Sequence, residues 1–273
     1  MIRRAVLLLL GLAFLPWPAW AEDQPLHLFA AGSLTGALGE VAKTYTAATG
    51  VRIETTFGPS GGLRERIEQG EPADLFASAN LLHSEALMRA GRAGPVVLFV
   101  RNRLCAVARG EVGATTASLL DKMLDSALKL GTYTPKTDPG GDYAWALFAK
   151  AEALHAGART VLEGKALQLF GTGVRPPVPA GRDAVAYFLD ERQADIFLAY
   201  CSAGKAAQRE SATLQVVPLP DGLAVGAEYG LTVLKSEPAR EAAAERLALY
   251  ILSPAGQAVL ARYGFLPVTA PAE

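Results

Sequence analysis

The chain has 273 residues, 51% of them apolar and 19% charged, with 26 Lys and Arg against 27 Asp and Glu. An apolar share of this size builds a large core and excludes a disordered or fibrous chain. A net charge of −1 argues against a nucleic-acid binder, which needs a concentrated basic surface. The length allows one or two domains.

Arg3 and Arg4 precede a ten-residue run without charge, residues 5–14, and the segment 16–20 leads into Ala19-Trp20-Ala21. A basic start, a short apolar stretch and an A-x-A site are the three parts of a secretory signal peptide. A membrane anchor needs roughly 20 apolar residues, and Pro16 and Pro18 interrupt the run too early. Cleavage after Ala21 removes two Arg and no acid, so 24 basic residues then face 27 acidic ones and the charge moves from −1 to −3. The mature protein is expected in an oxidising compartment, the periplasm. Cys105 and Cys201 stand 96 positions apart with no CxxC and no nearby His, so a metal or redox motif is a weak reading. Export favours a structural disulfide over two buried thiols packed as small apolar groups.

From residue 26 the pattern alternates strand and helix. Residues 26–30 form a short apolar run, and Ser33 opens a helix over 34–48, where Leu34, Ala37, Leu38, Val41 and Tyr45 recur at helical spacing. Gly50 ends it. A strand over 51–57, a turn over 58–62 and a short helix over 63–69 follow. Then come a strand at 74–77, a helix at 81–90 and a strand at 96–100. The middle repeats the theme, with strands at 104–108, 129–132 and 195–200 and helices at 116–124, 142–156 and 183–191. Turns at 135–141 and 171–181 are rich in Gly and Pro. A strand at 229–234 and helices at 238–252 and 254–263 complete the chain.

Repeated β-α-β units imply an α/β fold of mostly parallel sheets covered by helices. Two such blocks in about 250 residues suit two lobes, and no Gly/Ser linker separates them. The expected division is a signal peptide over 1–21, lobe I over 22–100, lobe II over 101–225 and the rest of lobe I over 226–273. The chain is expected to cross between lobes near 98–102 and 223–228, leaving a hinged cleft.

The segments that can carry chemistry are helix beginnings. They are Ala31-Gly32-Ser33-Leu34-Thr35, Gly58-Pro59-Ser60-Gly61-Gly62, Asp138-Pro139-Gly140-Gly141-Asp142 and Pro179-Ala180-Gly181-Arg182. Such starts lie at the carboxyl ends of strands, where ligands bind in α/β sheets. They offer free N–H groups and the positive end of a helix dipole to an anion. Each alone is equally a well-capped helix, with Ser33 as the N-cap of the first. Arg182 either clamps an anion, braces the hinge or pairs with Asp183. Tyr200 either reaches the cleft with its hydroxyl or packs as a core tyrosine.

The same residues also admit an enzyme reading. Gly58-Pro59-Ser60-Gly61-Gly62 fits the nucleophile elbow G-x-S-x-G, which makes an exported serine hydrolase using Ser60 an alternative. Its base must be His83 or His155, both of which read as surface positions. The three His residues make no metal-binding pair, so no metal-ion ligands and no cofactor are expected.

Taken together these residues resemble the periplasmic molybdate-binding proteins of ABC importers. The likeness rests on Ala30-Ala31-Gly32-Ser33-Leu34, on Phe57-Gly58-Pro59-Ser60-Gly61-Gly62-Leu63 and on Gly70-Glu71-Pro72-Ala73-Asp74-Leu75-Phe76-Ala77-Ser78-Ala79. It continues through Asp138-Pro139-Gly140-Gly141-Asp142-Tyr143-Ala144, residues 196–200 and Arg262-Tyr263-Gly264-Phe265. The resemblance implies a two-lobed type II solute-binding fold that closes over molybdate, and also tungstate, and delivers it as a monomer to permease subunits in the inner membrane. It places the ligand hydroxyls on Ser33, Ser60 and Tyr200 and the backbone donors on Gly140 and Gly181, where the family pattern has Ala and Val. Pro59 and Gly61 replace a serine-rich turn, and the Cys105/Cys201 pair is not general in the family. Another oxyanion or a small organic acid is the alternative ligand.

Overall fold

The computed structural model describes residues 24–171 and 177–268, so the expected signal peptide lies outside the described residues. In chain order, β1 (Leu26–Ala31) leads through a 3-10 turn at Gly32–Leu34 into α1 (Thr35–Thr49). Next come β2 (Ile53–Gly58), α2 (Ser60–Glu68), β3 (Leu75–Ser78), α3 (Leu81–Arg89) and the long β4 (Val97–Arg109). The middle holds α4 (Leu119–Leu124), β5 (Leu130–Tyr133), α5 (Pro139–Leu154), α6 (Ala158–Lys165) and β6 (Leu167–Phe170). It continues with α7 (Ala184–Asp190), β7 (Ile196–Tyr200), α8 (Cys201–Glu210) and β8 (Leu214–Pro218). The chain returns through β9 (Gly226–Val233), α9 (Pro238–Leu252), α10 (Pro254–Arg262) and β10 (Leu266–Pro267).

The strands run in the order β2-β1-β3-β9-β4-β7-β5-β6, with β8 and β10 also paired to β4. At each end three strands are parallel: β2, β1 and β3 on one side, β7, β5 and β6 on the other. Between them β9 runs antiparallel to both β3 and β4, and β4 antiparallel to β7 and β8. The parallel pairs need helical crossovers, which α1, α2, α5 and α7 supply. The antiparallel centre exists because β4 and β9 are the strands on which the chain passes between the two halves. Residues 97–103 of β4 pair with β9, and residues 104–109 pair with β7 and β8. This is a mixed α/β architecture of two parallel-stranded halves joined through an antiparallel centre.

The helical expectations hold where periodicity was strong. Helix α1 buries Ala37, Leu38, Val41 and Tyr45 and stops at Gly50, whose φ of +78° is the left-handed geometry of a helix terminator. Strand β1 shows why the first segment reads as a continuous apolar run: Leu26, Leu28 and Ala30 face one core with α1, while Phe29 faces another with Leu63 and Ile67 of α2. A strand covered on both faces has no polar side. A third core packs Leu147, Phe148 and Ala151 of α5 onto Ala106, Leu130, Ile196 and Leu198.

Several expectations are corrected. The two strands read at 96–100 and 104–108 are one strand, because Arg101 and Arg103 point out while Asn102 points in. The interruption in the apolar run is simple alternation. Helices begin earlier than the hydrophobic periodicity suggests at Ser60 and Pro139, and later at Leu119. Helices α6 and α8 and strands β6, β8 and β10 were not anticipated. Helix α8 is rich in charged and small residues, Cys201-Ser202-Ala203-Gly204-Lys205, so it offers only a thin apolar stripe.

Candidate functional site

The carboxyl ends of β1, β2, β5, β6 and β7 surround a cavity of about 700 Å³. Ser33, Tyr133, Asp138, Gly181, Tyr200 and Ser202 line it. Three of the five expected ligand residues, Ser33, Gly181 and Tyr200, therefore share one wall space. Ser60 and Gly140 stand just behind that lining, each in contact with a lining residue.

Ser33 is not the N-cap its place in the sequence suggests. It instead lies inside the 3-10 turn, and α1 has no side-chain cap. Its Oγ lies 2.9 Å from the Tyr229 hydroxyl, a partner 196 residues away that no local pattern could reveal. Ser60 is the first residue of α2, after Pro59, and is 1% exposed. Its Oγ accepts the backbone N–H of Ala79 at 3.0 Å, which leaves its own proton free to donate. Tyr200 ends β7, and its hydroxyl is buried with no hydrogen-bond partner. Burial pushes its pKa well above that of an ordinary phenol, as it does for Tyr133 and Tyr229 beside it. These phenols therefore stay protonated and neutral. A buried hydroxyl without a partner forfeits about 1–3 kcal/mol, so its presence at a cavity wall marks a place where a ligand acceptor fits.

Gly140 is explained by packing: a Cβ there would sit 2.5 Å from the Tyr133 ring. Its N–H donates to Asp138 Oδ1 at 2.8 Å, so this amide already has a carboxylate partner. Asp138 caps α5 and is 6% exposed. Burial raises its pKa to about 7, with the Gly140 N–H opposing and nearby Asp142 adding to the rise. Sequence reasoning passed over Asp138 as a helix start; its signal was an acidic residue inside a Gly-rich cap aimed at a pocket.

Gly181, with φ +83°, sits on the exposed rim of the cavity. Arg182 is answered by Asp190 at 3.0 Å and by Glu210, and lies over the Tyr187 ring. It braces α7 against α8 and makes no pair with Asp183, whose side chain caps α7 at the Ala186 N–H, 2.9 Å away.

The two walls of the cleft touch. The Gly61 N–H donates to Thr137 O at 3.1 Å, and the Tyr143 hydroxyl donates to Ala79 O at 3.1 Å. Cys105 and Cys201 are disulfide-bonded with Cα atoms 4.9 Å apart, which ties the start of α8 to β4.

No nucleophile–base pair involves Ser60. His83 is buried rather than at the surface, its pKa driven down to about 4 by burial and by Arg64. Its Nε2 has no hydrogen-bond partner, so it does not hold the Ser60 hydroxyl. His155 is exposed at the end of α5. Among the described residues no group of three or more His, Cys, Asp or Glu could hold a metal ion, and no helix is long and apolar enough to cross a membrane.

An uncharacterized protein of Pasteurella multocida is 34% identical over 89% of this chain and 98% of its own length. The molybdate-binding protein ModA of Escherichia coli is 40% identical over a local match of 23% of this chain and 24% of its own. Among solved structures, the substrate-binding domain of a putative molybdenum ABC transporter from Clostridium difficile superposes with a TM-score of 0.64 at 21% identity, covering 90% of this chain and 99% of that one. The sulfate-binding protein SubI from Mycobacterium tuberculosis gives 0.73 at 19% identity over 89% and 87%. The family model described as bacterial extracellular solute-binding protein matches residues 26–266. The chain belongs to that family of solute-binding proteins.

Proposed function

We propose that this protein is the periplasmic binding component of an ABC importer and captures molybdate, and also tungstate, between two lobes. The observation that carries the reading is the Tyr200 hydroxyl, buried and unpartnered at the cavity wall. Ser33 and Ser60 add hydroxyl donors and Gly181 a backbone N–H; the Gly140 amide joins them when Asp138 releases it. The local match to a molybdate-binding protein and the folds of anion-binding neighbours support the ligand class. The lobes are 22–100 with 226–273, and 101–225. The start of β9 at Gly226 supports the second limit, and β4 changes partners after Arg103, a little past the first. Closure over the anion, without a covalent step, presents the monomer to its permease.

A second reading, another oxyanion or a small organic acid, draws on the cavity volume of about 700 Å³, which suits an organic ligand. A thermal-shift panel of molybdate, tungstate, sulfate, phosphate and carboxylates separates the two. A ligand at 100 times its Kd stabilises by about 2.7 kcal/mol. Shifts with carboxylates alone would overturn the molybdate reading. Ser33→Ala and Ser60→Ala are each expected to weaken molybdate binding by about 1–3 kcal/mol; unchanged calorimetric affinity in the double variant would remove both from the site.

A further inference from the structure

Strand β4 turns Asn102 inward, where it is 3% exposed. Its Oδ1 accepts the Arg103 N–H at 2.9 Å, while its Nδ2 lies 2.7 Å from Ser202 Oγ and 3.4 Å from the Tyr229 hydroxyl. A carboxamide nitrogen only donates. With Oδ1 committed to an N–H, both hydroxyls must accept from Asn102. Each hydroxyl carries one proton, which must then point elsewhere. The Tyr229 and Ser33 hydroxyls lie 2.9 Å apart and either can donate; when Tyr229 donates, the Ser33 proton is free to face the cavity. Ser202 lines the same cavity, and no described hydrogen bond takes its proton.

We propose that Asn102 is a positioning residue that orients Ser33 and Ser202 as donors toward an anion in the cavity, and that Ser202 is a further ligand contact. This rests on the oxyanion reading above. Three features support it. The start of α8 has no side-chain cap, so its first N–H groups add their dipole at Ser202. Ala203 and Ala206 keep that face of the cavity open. The Cys105–Cys201 disulfide joins the residue before Ser202 to the strand that bears Asn102, which holds the spacing between donor and hydroxyl. The Ser202 hydroxyl and the free N–H groups at the start of α8 present donors, so they favour a ligand that presents acceptors.

The test is calorimetric titration of the full mature protein with molybdate, and with sulfate as a second probe. Ser202→Ala should weaken binding about tenfold or more, and Ser202→Thr, which keeps the hydroxyl, should stay close to wild type. In a cycle with Asn102→Ala, the combined loss should be clearly smaller than the product of the single losses, because Asn102 acts through Ser202. Thermal melts establish that each variant is folded; should Asn102→Ala fail to fold, the Ser202→Ala and Ser202→Thr pair decides. Binding by Ser202→Ala within twofold of wild type, or strictly multiplicative losses, would overturn the proposal and leave the oxyanion reading standing. A wild-type protein that binds neither anion would overturn both.

Discussion

Asp138 combines an N-cap, a wall position in the cavity and almost no exposure. Its folded pKa of about 7 stands above the ordinary 3.8 because burial penalises the charge. The stability contributed by the protonated form is fully present below about pH 4 and is lost as pH rises through 7, on the order of a few kcal/mol. The same ionisation places a negative charge against an anionic ligand. Molybdate affinity should therefore fall as pH rises from 6 to 8. Asp138→Asn keeps a good cap, so it should flatten that profile and bind at least as tightly at pH 8. Calorimetry across this range checks it; a flat wild-type profile would show that Asp138 does not face the ligand. The site was partly legible at this scale. Ser33, Gly181 and Tyr200 follow from motif position, whereas Asn102, Ser202 and Tyr229 matter only through partners 100 to 196 residues away.

At the scale of elements, α2 and the turn before α5 meet across the cleft. A Cβ at Gly61 would stand 2.7 Å from Lys136 O and 2.8 Å from Thr137 O, so only glycine permits this approach. Gly61→Ala should separate the two walls and weaken ligand binding by about 1–3 kcal/mol, with little change in the melting temperature of the ligand-free protein. A matching fall in melting temperature would instead make the contact part of a static core. Helical periodicity made α1 readable from the chain. The junction at 101–103 was misread because an inward Asn between outward Arg residues looks like a loop until its neighbours in the sheet are known.

For the whole molecule, the disulfide closes a 96-residue separation between β4 and α8. Chain-entropy reasoning assigns such a loop up to about 4–5 kcal/mol. Reduction, or the paired change Cys105→Ala and Cys201→Ala, should lower the urea midpoint accordingly. Ligand affinity should drop as well, since Tyr200 and Ser202 flank Cys201. Equal denaturation curves with and without reductant would show that packing alone sets this geometry. The charge of −3 expected after cleavage gives an anion no long-range attraction, so capture would depend on local groups at the cavity, its neutral hydroxyls and amides together with Arg182 and Arg209, which also line it.

Composition, periodicity and the Gly- and Ser-rich helix starts were enough to determine an α/β fold, much of its strand–helix succession and the strand ends that line the cavity. These are local properties, dictated by side-chain spacing and backbone preference. The antiparallel centre of the sheet, the bond between Cys105 and Cys201, the carboxylate at the cavity wall and the direction of its hydroxyl protons were decided only by the tertiary structure. Each depends on groups that are distant in the chain and become neighbours once β4 passes from one half of the sheet to the other.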